Sequence, residues 1–158
     1  MQPTAQKLHP SPSVQEKFSL LVVSPHKDDC MSVSKILQNP CWRIDQASCL
    51  DEARKRLQYQ GASVILCERD LPDGSWKDLL PVLRELPGVA SVVVISRHAN
   101  DDLWSDVLSS GGYDVLPKPF DRRELVRVVG MAWRQSYTKS CAMRKPFESI
   151  TLAHAAAS

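Results

Sequence analysis

From residue 18 to about residue 136 the chain alternates between two hydrophobic rhythms. Three short runs, 19–23, 63–67 and 91–95, are nearly continuous in Val, Ile and Leu, the pattern of parallel strands covered on both faces. Residues 42–47 (W-R-I-D-Q-A) alternate apolar and polar, and the short run 114–116 leads into Pro117 and Pro119. Both of these predict edge strands. Helical stretches lie between. Residues 28–37 carry Met31, Val33, Ile36 and Leu37, and residues 50–57 set Leu50, Ala53 and Leu57 on one face with charges opposite. A third stretch spans about 75–86, where Pro81 predicts either a regular helix beginning near Asp78 or a kink. Residues 101–110 and 121–133 complete the set. The last opens with Asp121-x-x-Glu124, close to a capping box, and turns Leu125, Val128, Val129 and Ala132 toward a core.

Five β/α units in succession predict an α/β domain built on a doubly wound, five-stranded parallel sheet with right-handed crossovers. Three apolar strands inside and two edge strands outside give the order 2-1-3-4-5. Composition then narrows the class. Hydrophobic residues are 43% and charged residues 24% of 158, which fits a soluble globular protein and excludes collagen-like, coiled-coil and wholly disordered chains. The longest apolar run, 18–23, falls far short of the roughly 20 residues of a membrane span, so no membrane partner is expected. Residues 1–17 hold three prolines and no apolar signal core. They predict a disordered lead before a domain at 18–136. Residues 137–158, polar then Ala-rich, leave a helical extension and a disordered tail both open, and are too short for an output domain. Five cysteines, an odd number without a C-x-x-C pair, predict free thiols and a cytoplasmic location.

The net charge of +2 is too small to argue for nucleic acid. It is unevenly spread: 13 basic and 15 acidic residues up to Phe120, then 7 basic and 3 acidic. That surplus points to an acidic partner for the last helix, or simply to a solvated face.

In an open α/β sheet, ligands bind beyond the carboxyl ends of the strands. The residues expected there are Ser24, Pro25 and His26 after the first strand and Glu68, Arg69 and Asp70 after the third. Ser96, Arg97 and His98 follow the fourth, and Lys118 the fifth. Three pieces stand in order on those strand ends: E-R-D-L-P-D-G-S-W-K-D-L-L (68–80), V-V-V-I-S (92–96) and S-G-G-Y-D-V-L-P-K-P-F-D-R-R-E-L (110–125). Over roughly residues 19–133 the chain thereby resembles the receiver domain of two-component response regulators, which implies a flavodoxin-like fold.

In that family an Asp ending the third strand accepts a phosphoryl group from a histidine kinase. Two acids after the first strand help to hold Mg²⁺, a Ser or Thr ends the fourth strand, and the Lys of a Lys-Pro pair ends the fifth. Four residues before Pro72, the resemblance places Glu68 at the phosphoacceptor position; Ser96 matches the hydroxyl and Lys118 the lysine. It also implies a cis Lys118–Pro119 bond. Ser24 and Pro25 stand where the acidic pair belongs, and Val115 where the family has its switch aromatic. Mg²⁺ needs an oxygen shell anchored by carboxylates, so it is expected to be lost, and with it in-line transfer to a carboxylate one methylene too long.

The expectation is a degenerate, stand-alone receiver-like protein, not an enzyme, that acts as an interaction module in phosphorelay signalling. Its partners would be a kinase, a downstream effector, or a second copy through helix 4, strand 5 and helix 5. Trp104 and Trp133 fall on those helices, with burial the default for both and an exposed Trp an anchor. Glu68 either mimics a phosphorylated Asp against Lys118 and Ser96 or only satisfies Lys118. Two other readings compete. A working receiver could use a nonstandard acceptor, Asp70 or the turn residue Asp73. Alternatively, Pro25-His26-Lys27-Asp28-Asp29 resembles the P-H-x-D-D motif of zinc-dependent N-acetylglucosamine deacetylases. That would make His26 and Asp29 zinc ligands, Asp28 the base and His98 the candidate third ligand. Against it, Asp28 and Asp29 are also ordinary first-turn acids of a helix.

Overall fold

The computed structural model describes residues 18–157, with side chains described through residue 142. The expected lead, 1–17, lies outside the described residues. Five strands form one parallel sheet: β1 Phe18–Val23, β2 Trp42–Ala47, β3 Val64–Glu68, β4 Ser91–Ser96 and β5 Asp114–Pro117. Their order is β2-β1-β3-β4-β5, every neighbouring pair parallel, as the pattern of apolar and edge strands predicts. The helices are α1 Lys27–Ile36, α2 Leu50–Tyr59, α3 Leu79–Glu85, α4 Asp101–Ser110 and α5 Arg122–Ala157.

Alternation along the strands sends side chains to two separate cores. Leu21, Val23, Ile65, Cys67, Val92 and Val94 pack with Trp76 and helices α2, α3 and α4 on one face. Leu20, Val22, Leu66, Val93 and Ile95 pack with Val33 of α1 and Leu125, Val128, Val129 and Ala132 of α5 on the other. The strands are apolar throughout because both faces are covered.

Pro81 is resolved by a short 3₁₀ turn at Trp76–Asp78, after which α3 starts at Leu79 and holds the proline in its first turn, where its missing N–H is harmless. Asp121 caps α5, accepting the Glu124 N–H at 2.9 Å. The helix runs on past 133 to Ala157, far longer than the amphipathic pattern alone predicts. In the S-G-G-Y turn the two glycines do different work. Gly111 ends α4 at φ 106, a left-handed conformation that favours glycine. At Gly112 a Cβ would come within 2.4 Å of Val107 Cγ1. The amino end of the sheet is closed by aromatic rings, Phe18 meeting Trp133 edge-on at 4.4 Å and Trp42 at 5.0 Å. Among the described residues no helix is long and apolar enough to cross a membrane, and all five cysteines are free.

Candidate functional site

Parallel register brings three strand ends together at the carboxyl edge. Val23 pairs with Cys67, Glu68 with Ile95, and Ser96 with Pro117, so Ser24, Glu68, Ser96 and Lys118 stand at neighbouring strand ends, beside a depression lined by Asp28, Asp29, Arg97, Lys118 and Phe120 among others. Lys118 links the acids of this edge. Its ammonium binds Glu68 Oε2 and, at 2.9 Å, Asp29 Oδ2. The three side chains are only 6%, 14% and 10% exposed for Lys118, Glu68 and Asp29. Charge-assisted contacts of this kind are the strong ones, because little water screens them.

Each participant is positioned by backbone. The Lys118 N–H donates to Ser96 O at 3.0 Å, and the Lys118–Pro119 bond is cis. Ser24 is held by its N–H on Ala47 O at 2.9 Å. Its hydroxyl accepts the His26 N–H at 3.1 Å and donates to Asp29 Oδ2 at 2.6 Å. Ser96 repeats the turn, its hydroxyl accepting the His98 N–H at 3.0 Å. Beneath the site, burial pushes the Cys67 thiol well above its ordinary value, with the adjacent Glu68 charge adding to the effect.

Asp29 is the residue that sequence reasoning missed as a member of this site. First-turn acids commonly face water near the helix dipole, and Asp28 does so, but Asp29 is buried. A signal was available. Val33, Ile36 and Leu37 mark the buried face of α1, and one turn back from Val33 that face contains Asp29.

Other candidates do not join the cluster. Asp70 is exposed and paired with Arg69 at 2.9 Å. Asp73 accepts the Leu50 and Asp51 N–H groups with its two oxygens, at 2.8 and 3.0 Å, and these bonds hold its carboxyl below the ordinary value. Val115 is buried under α4, and Pro25 is exposed and offers no side-chain oxygen. His26, Asp28 and His98 are exposed while Asp29 faces an ammonium, so the P-H-x-D-D segment is not drawn together as zinc ligands. Trp104 departs from the default expectation for a helix tryptophan: it is 49% exposed, with Leu108 one turn on at 40%. Trp133 is half-buried.

The profile of the response regulator receiver domain family matches residues 20–130. The chain belongs to that family. Relatives of this receiver domain include the response regulator protein PilR of Pseudomonas aeruginosa, 31% identical over 83 residues (52% of this chain, 19% of PilR). The probable transcriptional regulatory protein TcrX of Mycobacterium tuberculosis is 30% identical over 112 residues (70% of this chain, 47% of TcrX). Among solved structures, the beryllofluoride-activated NtrC4 receiver domain dimer superposes with a TM-score of 0.67 at 26% identity. That match covers 75% of this chain and 98% of that one. The NtrC, PilR and HoxA relatives are much longer, and the receiver domain here spans less than a fifth of each.

The receiver family's Mg²⁺ can be tested against this donor set. Mg²⁺ demands near-octahedral oxygen coordination. Here the Asp29 oxygen facing the pocket already takes two donors and Glu68 takes the ammonium. Among the described residues no three His, Cys, Asp or Glu side chains group as metal ligands. The residues present do not fit the ion.

Proposed function

We propose that this receiver domain is degenerate: an interaction module of two-component signalling that takes no phosphoryl group at Glu68 by the Mg²⁺-dependent route. The observation carrying this reading is that both pocket carboxylates, Glu68 and Asp29, are committed to Lys118. Phosphoryl transfer onto a carboxylate needs the equatorial oxygens neutralised by cations free to meet them. Here the lysine is bound on two sides, and Ser24 and Pro25 supply no anionic oxygen to anchor a metal. The pocket is held in one charge-satisfied arrangement. Adding Mg²⁺ and beryllofluoride while following backbone amide resonances tests this. No saturable shift is expected at Glu68, Ser96 or Lys118, and Mg²⁺-dependent saturation there would overturn the reading.

The partner surface is the face built by α4, β5 and α5. Trp104 and Leu108 lie one turn apart on α4 and both are exposed, and a large exposed aromatic is the commonest kind of interface anchor. Charge supports the same face. The first turn of α4 carries Asp101 and Asp102, whereas α5 presents Arg122, Arg123, Arg127 and Arg134, all exposed. A protein partner, a kinase or effector or a second copy of this chain, would meet acid with base across that face.

A further inference from the structure

Two carboxylates share one ammonium at a place where all three side chains are at most 14% exposed, with the exposed Asp28 and Arg97 lining the depression beside them. A buried carboxylate is costly without a cation beside it, and both acids take the same one. The ammonium sits between the two acids, and it comes from the chain itself. One acid, Asp29, does not belong to the loop after β1. It is supplied from the first turn of α1, five residues beyond Ser24, and is fixed by the Ser24 hydroxyl at 2.6 Å. Resting on the degenerate reading above, we propose that Lys118 is the resident cation of this pocket. It is held by the relocated acid Asp29 in the place where a divalent ion would otherwise bridge Asp29 and Glu68.

Two consequences follow from the chemistry. The folded protein is cation-saturated without any metal, so added divalent ions find no site there. Removing the ammonium leaves Asp29, still held by Ser24, and Glu68 facing a gap, which is the minimal anchor for a hard cation. Coordination chemistry then sets a preference. Ca²⁺, with ligand distances of about 2.3–2.6 Å and flexible coordination, is better suited to two carboxylates not arranged for a metal than Mg²⁺, which demands near-octahedral geometry at about 2.0–2.1 Å. Asp29 is accordingly a positioning residue. The neighbouring exposed Asp28 is not.

The test titrates CaCl₂ and MgCl₂ into wild type, Lys118→Ala, Lys118→Ala/Asp29→Asn and Lys118→Ala/Asp28→Asn, reading amide resonances and melting temperature. Wild type is expected to show no saturable response. Lys118→Ala should gain saturable binding, at least tenfold tighter for Ca²⁺ than for Mg²⁺. The gain should vanish with Asp29→Asn and persist with Asp28→Asn. If Lys118→Ala does not fold alone, Ca²⁺-dependent recovery of its helical circular dichroism reports the same binding, and no recovery counts against the proposal. Saturable binding to wild type at Asp29, or a variant indifferent to both ions, overturns it. These results are separable from the functional reading, which fails on Mg²⁺-dependent beryllofluoride binding to wild type whatever the variants do.

Discussion

At the carboxyl edge of the sheet, Lys118, Glu68 and Asp29 are almost withdrawn from water and satisfy one another. On α4, Trp104 lies half in solvent with Leu108 beside it. Ordinarily the charged groups of a pocket would be open to a ligand and the tryptophan would be packed away. The inversion separates two jobs. Groups whose exposure would support transfer chemistry are consumed internally, while apolar area that burial would make structural is left for contact. This contrast is what the proposed interaction module requires: a pocket closed to transfer chemistry beside a face open to a partner.

The sharpest way to break the comparison is to treat the pocket as if it were a surface. Lys118→Met removes one partner from a buried ion cluster and leaves two carboxylates without their cation. Breaking a buried pair in this way costs about 3–5 kcal/mol, a large part of the stability of a domain this size. Asp29→Asn should cost less, since Glu68 still holds the lysine. Asp28→Asn, at an exposed position, should stay within about 0.5 kcal/mol of wild type. Denaturant unfolding of the three variants checks the order. Equal effects at Asp28 and Asp29 would show that the buried contact contributes nothing.

Trp104→Ala probes the other half of the contrast. Its effect on unfolding should stay within about 1 kcal/mol, because the ring is 49% exposed and outside both cores. Its effect on association should be larger, about 2 kcal/mol or a thirtyfold loss of affinity, if the ring anchors a partner. Analytical ultracentrifugation of wild type and variant over a concentration series measures the homodimer case directly. A wild type that shows no self-association at any concentration moves the proposed partner from a second copy to another protein.

Most of the fold was legible in the sequence because it rests on one strong signal, five apolar runs spaced by amphipathic stretches. The strand order follows from runs that are local in the chain, and the Lys118–Glu68 contact from the family resemblance that the strand-end motifs carry. Three features were not legible for a common reason, dependence on how elements lie against each other. Asp29 reads as a solvated first-turn acid until α1 is docked with its Val33 stripe toward the sheet. Trp104 reads as a core residue until α4 is rotated so that Leu103 and Val107 take the buried positions instead. Asp73 reads as turn chemistry alone, yet its carboxylate reaches across 23 positions to the start of α2.

Asp73 supplies the smallest effect and a control on what exposure means. It is an exposed carboxylate near the pocket loop, yet unlike Asp29 it pairs with no cation among the described residues and is satisfied by the two backbone N–H groups that open α2. Those bonds favour its charged form and lower its pKa from the ordinary value of 3.8. The sign is therefore fixed. Asp73 adds stability that is fully present above its unfolded pKa and is lost as pH falls through its lower folded pKa. Asp73→Asn should weaken the protein at neutral pH, since an amide accepts these N–H bonds less strongly than a carboxylate. The difference from wild type should then shrink through the acid range as Asp73 itself becomes neutral. Urea melts of the two proteins at stepped pH should accordingly converge on acidification, and curves that stay parallel would rule out a charged cap on α2.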